Sequence, residues 1–381
     1  MNIIYFVQQL YNKGGLERTL TDKAAYLVAR GHRVMFVTFE HKGAFAYPLP
    51  QGVEHADVDC HVYTLYSQPA YKRIGGFMRL KRKFRSRLAA VLQSFRPSVI
   101  VVTIPYTENF ISDLAAVARG VPFVVECHLA YGTHYQAGGL LERFMWRFYD
   151  PMKAMRRADS FITLTQGDAR SWQHLGMRNV RVLPNPLPIE ATAVAAASAA
   201  DKLPGRIICV GRLDEQKRFD RLVDAFALAA PHCPGWWVDI FGEGKLRGSL
   251  QEQIDGLGLH DRVRLMGTTA QVADEYRRSQ FLVLSSDYEG FGLVIIEAMA
   301  CGLPVVSVDC PFGPSEIIQD QVTGLLAQMD AHDLAQKMGW MMTHDAERRL
   351  MGQEARATAD RYKKEVVMPL WEQAYLDVAG K

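Results

Sequence analysis

Short apolar runs alternate with helix-length segments along almost the whole chain, and that alternation limits the fold more than any other feature. The runs predict strands near Asn2–Gln8, Arg33–Phe39, His61–Leu65, Ser98–Thr103, Pro122–Cys127, Ser160–Leu164 and Val180–Leu183. A second series follows near Arg206–Val210, Trp237–Phe241, Arg262–Met266, Phe281–Leu284, Val305–Val308 and Gly324–Leu326. Strands that alternate with helices imply parallel α/β sheets covered by helices on both faces. In such sheets reactive groups collect at the carboxyl ends of the strands. With 381 residues, two domains are expected. The expected boundaries are a first domain over 1–188, a linker over 189–204 rich in Ala, a second domain over 205–362, and a last helix over 363–381 that returns to the first domain.

The stretch Ser286 to Gly302 reads as strand end, sharp turn and helix. The helix is expected from about Phe291 to Cys301, where Gly302 and Pro304 stop it. Gly290 and Gly292 at its start let backbone N–H groups approach a ligand, and free amides with the helix dipole attract an anion. Glu297 stands in the apolar run Leu-Val-Ile-Ile-Glu-Ala-Met-Ala, where a buried carboxylate needs donors. Paired hydroxyls such as those of a ribose would serve; an arginine partner would serve as well. Glu289 precedes it by eight positions.

Cations stand at another strand tip, in Gly211-Arg212-Leu213-Asp214-Glu215-Gln216-Lys217. They either hold an anion or pair with Asp214 and Glu215. Near the N-terminus the turn Gly14-Gly15-Leu16-Glu17-Arg18 follows the first strand several residues late. A dinucleotide fingerprint needs G-x-G-x-x-G directly after the strand, so a nicotinamide oxidoreductase is disfavoured. His128 follows the strand ending at Cys127 and is expected at the sheet rim facing the second domain. Asp57-Val58-Asp59 has the form of a metal-binding acidic pair, but it precedes the expected strand at His61 and is set aside.

Composition narrows the classes further. Hydrophobic residues make up 49% and charged residues 22%, as in a soluble globular protein. The N-terminus enters a strand at once, so no signal peptide is expected. Six scattered cysteines without a Cys-x-x-Cys pair suggest reduced, buried thiols and a cytoplasmic setting. Residues 1–188 hold 24 Lys and Arg against 13 Asp and Glu, a balance of +11, so residues 189–381 carry −8 of the overall +3. Much of the excess lies in Tyr71–Phe95, where basic residues 72–87 interleave with apolar ones, and in Arg143–Arg147 through Arg156-Arg157. The first of these predicts either a helix on an anionic membrane surface or a solvated helix with its stripe in the core.

The strings Gly-Gly-x-Glu-Arg, Gly-Arg-Leu-x-x-x-Lys and Glu-Gly-Phe-Gly followed by Glu297 together resemble glycosyltransferase family four, whose members have the GT-B fold. Leu-Pro-Asn-Pro at 183–186 and Gly-Pro-Ser-Glu at 313–316 extend the likeness. The resemblance implies two Rossmann-like domains facing each other across a cleft. It implies a metal-independent, retaining transferase with no resident cofactor, the nucleotide sugar being a substrate. Arg212 and Lys217 would clamp the donor diphosphate, with Gly15 and the loop Gly290, Phe291, Gly292 and Leu293. Glu297 would take the ribose, while Glu289 and His128 would approach the transferred sugar. Gly14, Glu17 and Arg18 would lie toward the acceptor. The donor is expected to be a UDP-hexose or UDP-N-acetylhexosamine, with GDP-mannose open. The acceptor is expected to be a polyprenyl-diphosphate-linked saccharide at the inner membrane face, and no nucleic acid partner is expected. A non-catalytic sugar-nucleotide binder and an epimerase on the same fold are the rival readings.

Overall fold

The computed structural model describes residues 1–61, 70–104, 107–130, 151–188 and 202–380. It divides the chain into two compact units, Met1–Pro184 with Glu365–Lys381, and Asn185–Lys364. The segment expected to link them, 189–204, lies outside the described residues as far as 201, as do Arg143–Arg147 and most of the expected strand at His61–Leu65.

The first unit is built on a seven-stranded sheet: β1 Asn2–Val7, β2 Arg33–Thr38, β3 Val53–Asp57, β4 Val99–Ile104, β5 Phe123–Cys127, β6 Ser160–Thr163 and β7 Val180–Val182. Their order is β3-β2-β1-β4-β5-β6-β7, and every pairing is parallel. The second unit carries β8 Arg206–Val210, β9 Trp237–Phe241, β10 Val263–Gly267, β11 Phe281–Leu284, β12 Val305–Val308 and β13 Gly324–Ala327. These are again parallel, in the order β10-β9-β8-β11-β12-β13. The central strands are apolar and buried because helices cover both faces, the condition under which all-parallel sheets occur. This is the doubly wound α/β architecture that the alternation implies.

Both sheets reverse strand order at one place, between β1 and β4 in the first and between β8 and β11 in the second. Crossovers leave in opposite directions there, and the loops beyond the strand ends open a crevice.

Two sequence expectations need correction. Val53–Asp57 is a strand that alternation did not reveal, since its residues Val-Glu-His-Ala-Asp are half-buried on an edge. Asp57 therefore ends a strand and does not precede one. Its carboxylate accepts from Thr38 Oγ1 at 2.7 Å and from the His41 amide at 2.7 Å, while Asp59 pairs with Lys83 and Arg87. The acidic pair is taken up by the protein itself.

The basic segment is a helix, Ala70–Phe95, whose apolar stripe turns inward: Phe84, Leu88 and Phe95 are buried. Phe84 stacks on Phe110 with ring centroids 4.4 Å apart. Four of its cations are shared between two carboxylates, Lys81 and Arg85 on Asp113, Lys83 and Arg87 on Asp59. The buried part of the stripe thus serves the core, and the exposed cations lie on the opposite side. Among the described residues no helix is long and apolar enough to cross a membrane.

All six cysteines are free and buried. Burial pushes the Cys60 thiol up to about 11 and the Cys301 and Cys310 thiols up to about 12. The thiolate is the reactive form. Iodoacetamide at pH 8 should leave the native protein essentially unlabelled over minutes, whereas unfolding in guanidinium should expose all six sites. Rapid native labelling, read by intact mass, would contradict the burial.

Candidate active site

In the second unit the loops after β8 and β11 flank the point where strand order reverses. β8 runs into Gly211, and a helix resumes at Phe219–Ala229. The intervening residues are held from two sides. Leu213, fully buried, donates its amide to the Glu243 carbonyl and accepts from the Leu246 amide, both at 3.0 Å. This contact is backbone on backbone. A Cβ on Gly242 would sit 1.8 Å from the Gly211 carbonyl oxygen, and one on Gly244 would sit 2.3 Å from that of Leu213. Gly242 and Gly244 are therefore needed by the protein's own loop packing, which accounts for a Gly-x-Gly that is not a dinucleotide turn.

On the other side the loop meets Ser285–Glu289. The Gln216 side-chain amide donates to the Tyr288 carbonyl at 3.0 Å, and the Asp287 amide donates to the Gln216 carbonyl at 2.9 Å. Ser285 Oγ donates to the Lys217 carbonyl at 2.8 Å. Arg221 donates to the Ser285 carbonyl and to Asp287, and Arg218, in the left-handed region with φ of 48°, also pairs with Asp287. None of Gln216, Arg218, Arg221, Ser285 or Asp287 was legible as a site residue. Their contribution lies in contacts about 70 positions apart.

Within this frame Lys217 Nζ lies 2.7 Å from Glu289 Oε1, which also accepts from Ser286 Oγ at 2.6 Å. Both partners are largely buried, with side-chain exposures of 15% and 7%. Arg212 is different: 70% exposed, it reaches Asp214 at 3.2 Å and Gln216 at 3.3 Å. Arg212, Gln216, Tyr288, Glu243 and Lys245 line an open cavity of about 430 Å³. Lys217 and Gly290–Gly292 do not line that cavity, so the expected cations share one loop but not one surface. The carboxylate expected to face the sugar is held by the lysine expected to face the diphosphate.

The helix after β11 spans Leu293–Ala300, shorter than expected at both ends, with Gly292 as N-cap at φ of 95°. That conformation favours glycine, and a Cβ there would meet Ile295 Cδ1 at 2.8 Å. Gly313 packs from below: a Cβ on it would lie 2.4 Å from the Phe291 carbonyl oxygen. Among the described residues, none accepts from the amides of Gly290, Phe291 or Gly292. Free amides at a helix start form an anion-binding end. Leu293 opens the first turn. Glu297 is half-buried, not enclosed as the apolar run implies, and it accepts from the Tyr276 hydroxyl at 2.9 Å. Burial, reinforced by Glu297, holds the Tyr276 hydroxyl well above its ordinary value, so it stays a donor.

In the first unit the helix Gly15–Ala29 starts earlier than expected, with Gly14 as N-cap in extended backbone. Glu17 and Arg18 thus lie in its first turn and not in a preceding loop. The Glu17 carboxylate folds back on the cap, where a Cβ on Gly14 would come within 2.5 Å of Oε2. A carboxylate there interacts favourably with the helix dipole. His128 is buried, and its Nε2 lies 2.9 Å from Glu126 Oε2.

Replacing Lys217 with Met should cost about 1–3 kcal/mol of stability, because Glu289 then loses its charged partner in a largely buried place. Adding Glu289→Gln should return part of that loss. Urea melts of the two single variants and the double variant measure the coupling, and strictly additive losses would contradict the ion pair.

Two family models tile the chain: Glycosyltransferase Family 4 over residues 13–191 and Glycosyl transferases group 1 over 192–358. An exopolysaccharide phosphotransferase of Streptomyces coelicolor is 30% identical over 297 residues, 76% of this chain. An amylovoran biosynthesis glycosyltransferase of Erwinia amylovora is 28% identical over 218 residues, 56% of this chain. The matched regions span 30% and 61% of those relatives' own lengths. Among solved structures, HepE of Anabaena in complex with UDP matches with a TM-score of 0.77 at 20% identity, over 99% of this chain and 100% of that one. With two parallel Rossmann-like sheets, both family models and these neighbours, the chain belongs to the family-four glycosyltransferases of the GT-B fold.

Proposed function

We propose that the chain is a retaining glycosyltransferase that moves a hexose or N-acetylhexosamine from a UDP-sugar to a lipid-linked saccharide during cell-surface polysaccharide synthesis. The observation that carries this reading is the arrangement beyond β8 and β11. Two loops place Lys217, Glu289 and the free amides of Gly290–Gly292 at the reversal of a parallel sheet, with Arg212 exposed beside them. Departure of a nucleoside diphosphate leaves negative charge on phosphate oxygens. Arg212, Lys217 and the helix start before Leu293 are the groups that would offset it, more in the transition state than in the ground state.

In this reading Glu289 exchanges part of its hold on Lys217 for hydroxyls of the bound sugar. Glu297, already fixed by Tyr276, takes the ribose hydroxyls. Gly15 serves the donor phosphates, Gly14, Glu17 and Arg18 the acceptor, and His128 the transferred sugar. The names of the relatives support a polysaccharide setting, and the UDP bound by HepE supports that base over guanine. An anionic membrane surface remains the proposed neighbour of the basic helix at the inner face of the membrane. Its exposed Met78, Arg79 and Arg82 are the residues available for that contact.

A panel of UDP- and GDP-sugars, scored by thermal shift and by sugar release, tests the donor. The cognate nucleotide sugar at about 100 times its dissociation constant should stabilise the protein by about 2.7 kcal/mol. Lys217→Ala and Glu297→Ala should each lower transfer at least ~100-fold, the scale of losing one preorganised electrostatic contact. Near-normal turnover in both variants would refute the site. Stabilisation by a nucleotide sugar with no turnover under any acceptor would identify a binder and not an enzyme.

A further inference from the structure

The first unit encloses a lysine–glutamate pair to which the proposed chemistry gives no role. Lys23, in the helix Gly15–Ala29, is 1% exposed, and its Nζ lies 2.8 Å from Glu126 Oε2; Glu126, on β5, is wholly buried. The chain's last helix, Lys364–Ala379, closes the cluster. Lys23 Nζ sits 3.2 Å from the centroid of the Trp371 ring, and the Tyr375 hydroxyl donates to Glu126 Oε1. Tyr5 Oη and Tyr375 Oη lie 3.0 Å apart. Glu126 Oε2 also meets His128 Nε2 at 2.9 Å, and the imidazole lies parallel to the Trp371 ring at 6.3 Å.

Burying an ion pair is costly, and apolar residues of like volume often serve stability as well or better. The pair therefore invites a reason other than stability, and the histidine supplies one. An ionised carboxylate only accepts hydrogen bonds. Lys23 keeps Glu126 ionised: burial alone would raise its pKa, but the ammonium and the histidine bond bring it below the ordinary value. His128 Nε2 must then carry the proton. Its Nδ1 is shielded from solvent and has no partner among the described residues. Burial and the nearby Lys23 charge lower the histidine's affinity for a second proton against the opposing pull of Glu126, so the ring is neutral and Nδ1 holds a lone pair. A buried acceptor without a donor is costly to leave unmade.

We propose that Glu126, held ionised by Lys23, is a positioning residue that fixes His128 as the Nε2–H tautomer and thereby reserves the Nδ1 lone pair for a saccharide hydroxyl. The Nδ1 atom is an acceptor, so it selects a hydroxyl and rejects an ether or phosphate oxygen in the same place. Trp371 and Tyr375 make the returning C-terminal helix part of this device: the helix supplies one wall of the cation's cage and the third donor to the carboxylate. The inference rests on the proposed transferase reading for its ligand, but the tautomer can be measured without it.

The test uses the full chain labelled with ¹⁵N-histidine, with His128→Asn assigning the resonance. The wild type should show a protonated Nε2 and an unprotonated Nδ1 at pH 7; a protonated Nδ1 there overturns the inference whatever the enzyme does. Glu126→Gln can turn its amide oxygen to the position that both Lys23 and His128 address. It should keep the tautomer and retain turnover within a few-fold. Lys23→Met with Glu126→Leu removes the acceptor without stranding a charge. It should lose the fixed tautomer and lower kcat about 10- to 100-fold, by analogy with losing the partner that orients a metal-bound histidine, with donor KM little changed.

A purely structural cluster predicts that any variant with a normal melting temperature works normally, and that result also overturns the inference. If the apolar pair does not fold, Tyr375→Phe, which removes one donor from Glu126, is compared with the wild type by the same resonance and the same kcat. Loss of both donor hydrolysis and transfer assigns the hydroxyl to the transferred sugar, and loss of transfer alone assigns it to the acceptor. If the wild type turns over no nucleotide sugar, the proposed function falls and the resonance alone judges the tautomer.

Discussion

The candidate site depends on one constraint, the reversal of strand order between β8 and β11. Neighbouring strands whose crossovers depart in opposite directions leave their end loops side by side with no helix between them. Those loops here carry cations, carboxylates and unpaired amides, groups that would not hold one geometry unaided. Asp287 is the counterweight. It takes Arg218 and Arg221 together, and Arg221 reaches on to the Ser285 carbonyl. A single such bond contributes about 1 kcal/mol net, but the bonds share atoms and span the same two loops, so they act as a network. The left-handed backbone at Arg218 costs of order 1 kcal/mol in a residue with a side chain, and two carboxylates, Asp220 and Asp287, offset it. The chain strains one residue to aim Lys217 at Glu289.

The features legible in the sequence were those written in local pattern. Parallel α/β layers follow from apolar runs punctuated by glycine and proline, and the start of the helix after β11 follows from Gly290 and Gly292. One strand and one helix start escaped, each because the local letters lack its usual mark. Val53–Asp57 is an edge strand, half-buried along its length, so its sequence never shows the continuous apolar signature of a central parallel strand. The helix that begins at Gly15 has an N-cap glycine in extended backbone and no side-chain cap, so nothing in the letters marks its start. Glu297 was misjudged because its neighbours in sequence are apolar; at one position of an eight-residue helix the side chain still reaches a partly open edge where Tyr276 meets it. Partners such as Glu126 for Lys23, 103 positions away, are set by tertiary packing alone.

The basic first half shows how charge counts mislead without geometry. A net +11 over residues 1–188 suggests a surface turned toward an anion. Yet Asp59 and Asp113 each gather two cations of the helix Ala70–Phe95, and the apolar stripe that a membrane would need is spent on Phe84, Leu88 and Phe95 in the core. What survives among the described side chains is a smaller group near the middle of the helix, Arg79 and Arg82. The pairs on Asp59 are exposed and contribute little energy, so their neutralisation matters less for stability than for the field: carboxylates amid the cations shorten the reach of the positive potential.

Each unit also keeps a lysine–glutamate pair near the carboxyl ends of its strands, Lys23 with Glu126 and Lys217 with Glu289. The two differ in the property that decides what a pair can do. Lys23 is sealed, capped by an indole and sharing its carboxylate with a tyrosine and a histidine. Separating that pair would strand two charges away from water, so it is a fixed reference that orients its neighbours. Lys217 retains 15% exposure and its carboxylate takes one further hydroxyl, from Ser286. Water or a ligand can replace part of what this pair loses on opening. A sealed pair suits orientation and a part-open pair suits exchange. Burial, which sequence spacing does not report, is what separates the two.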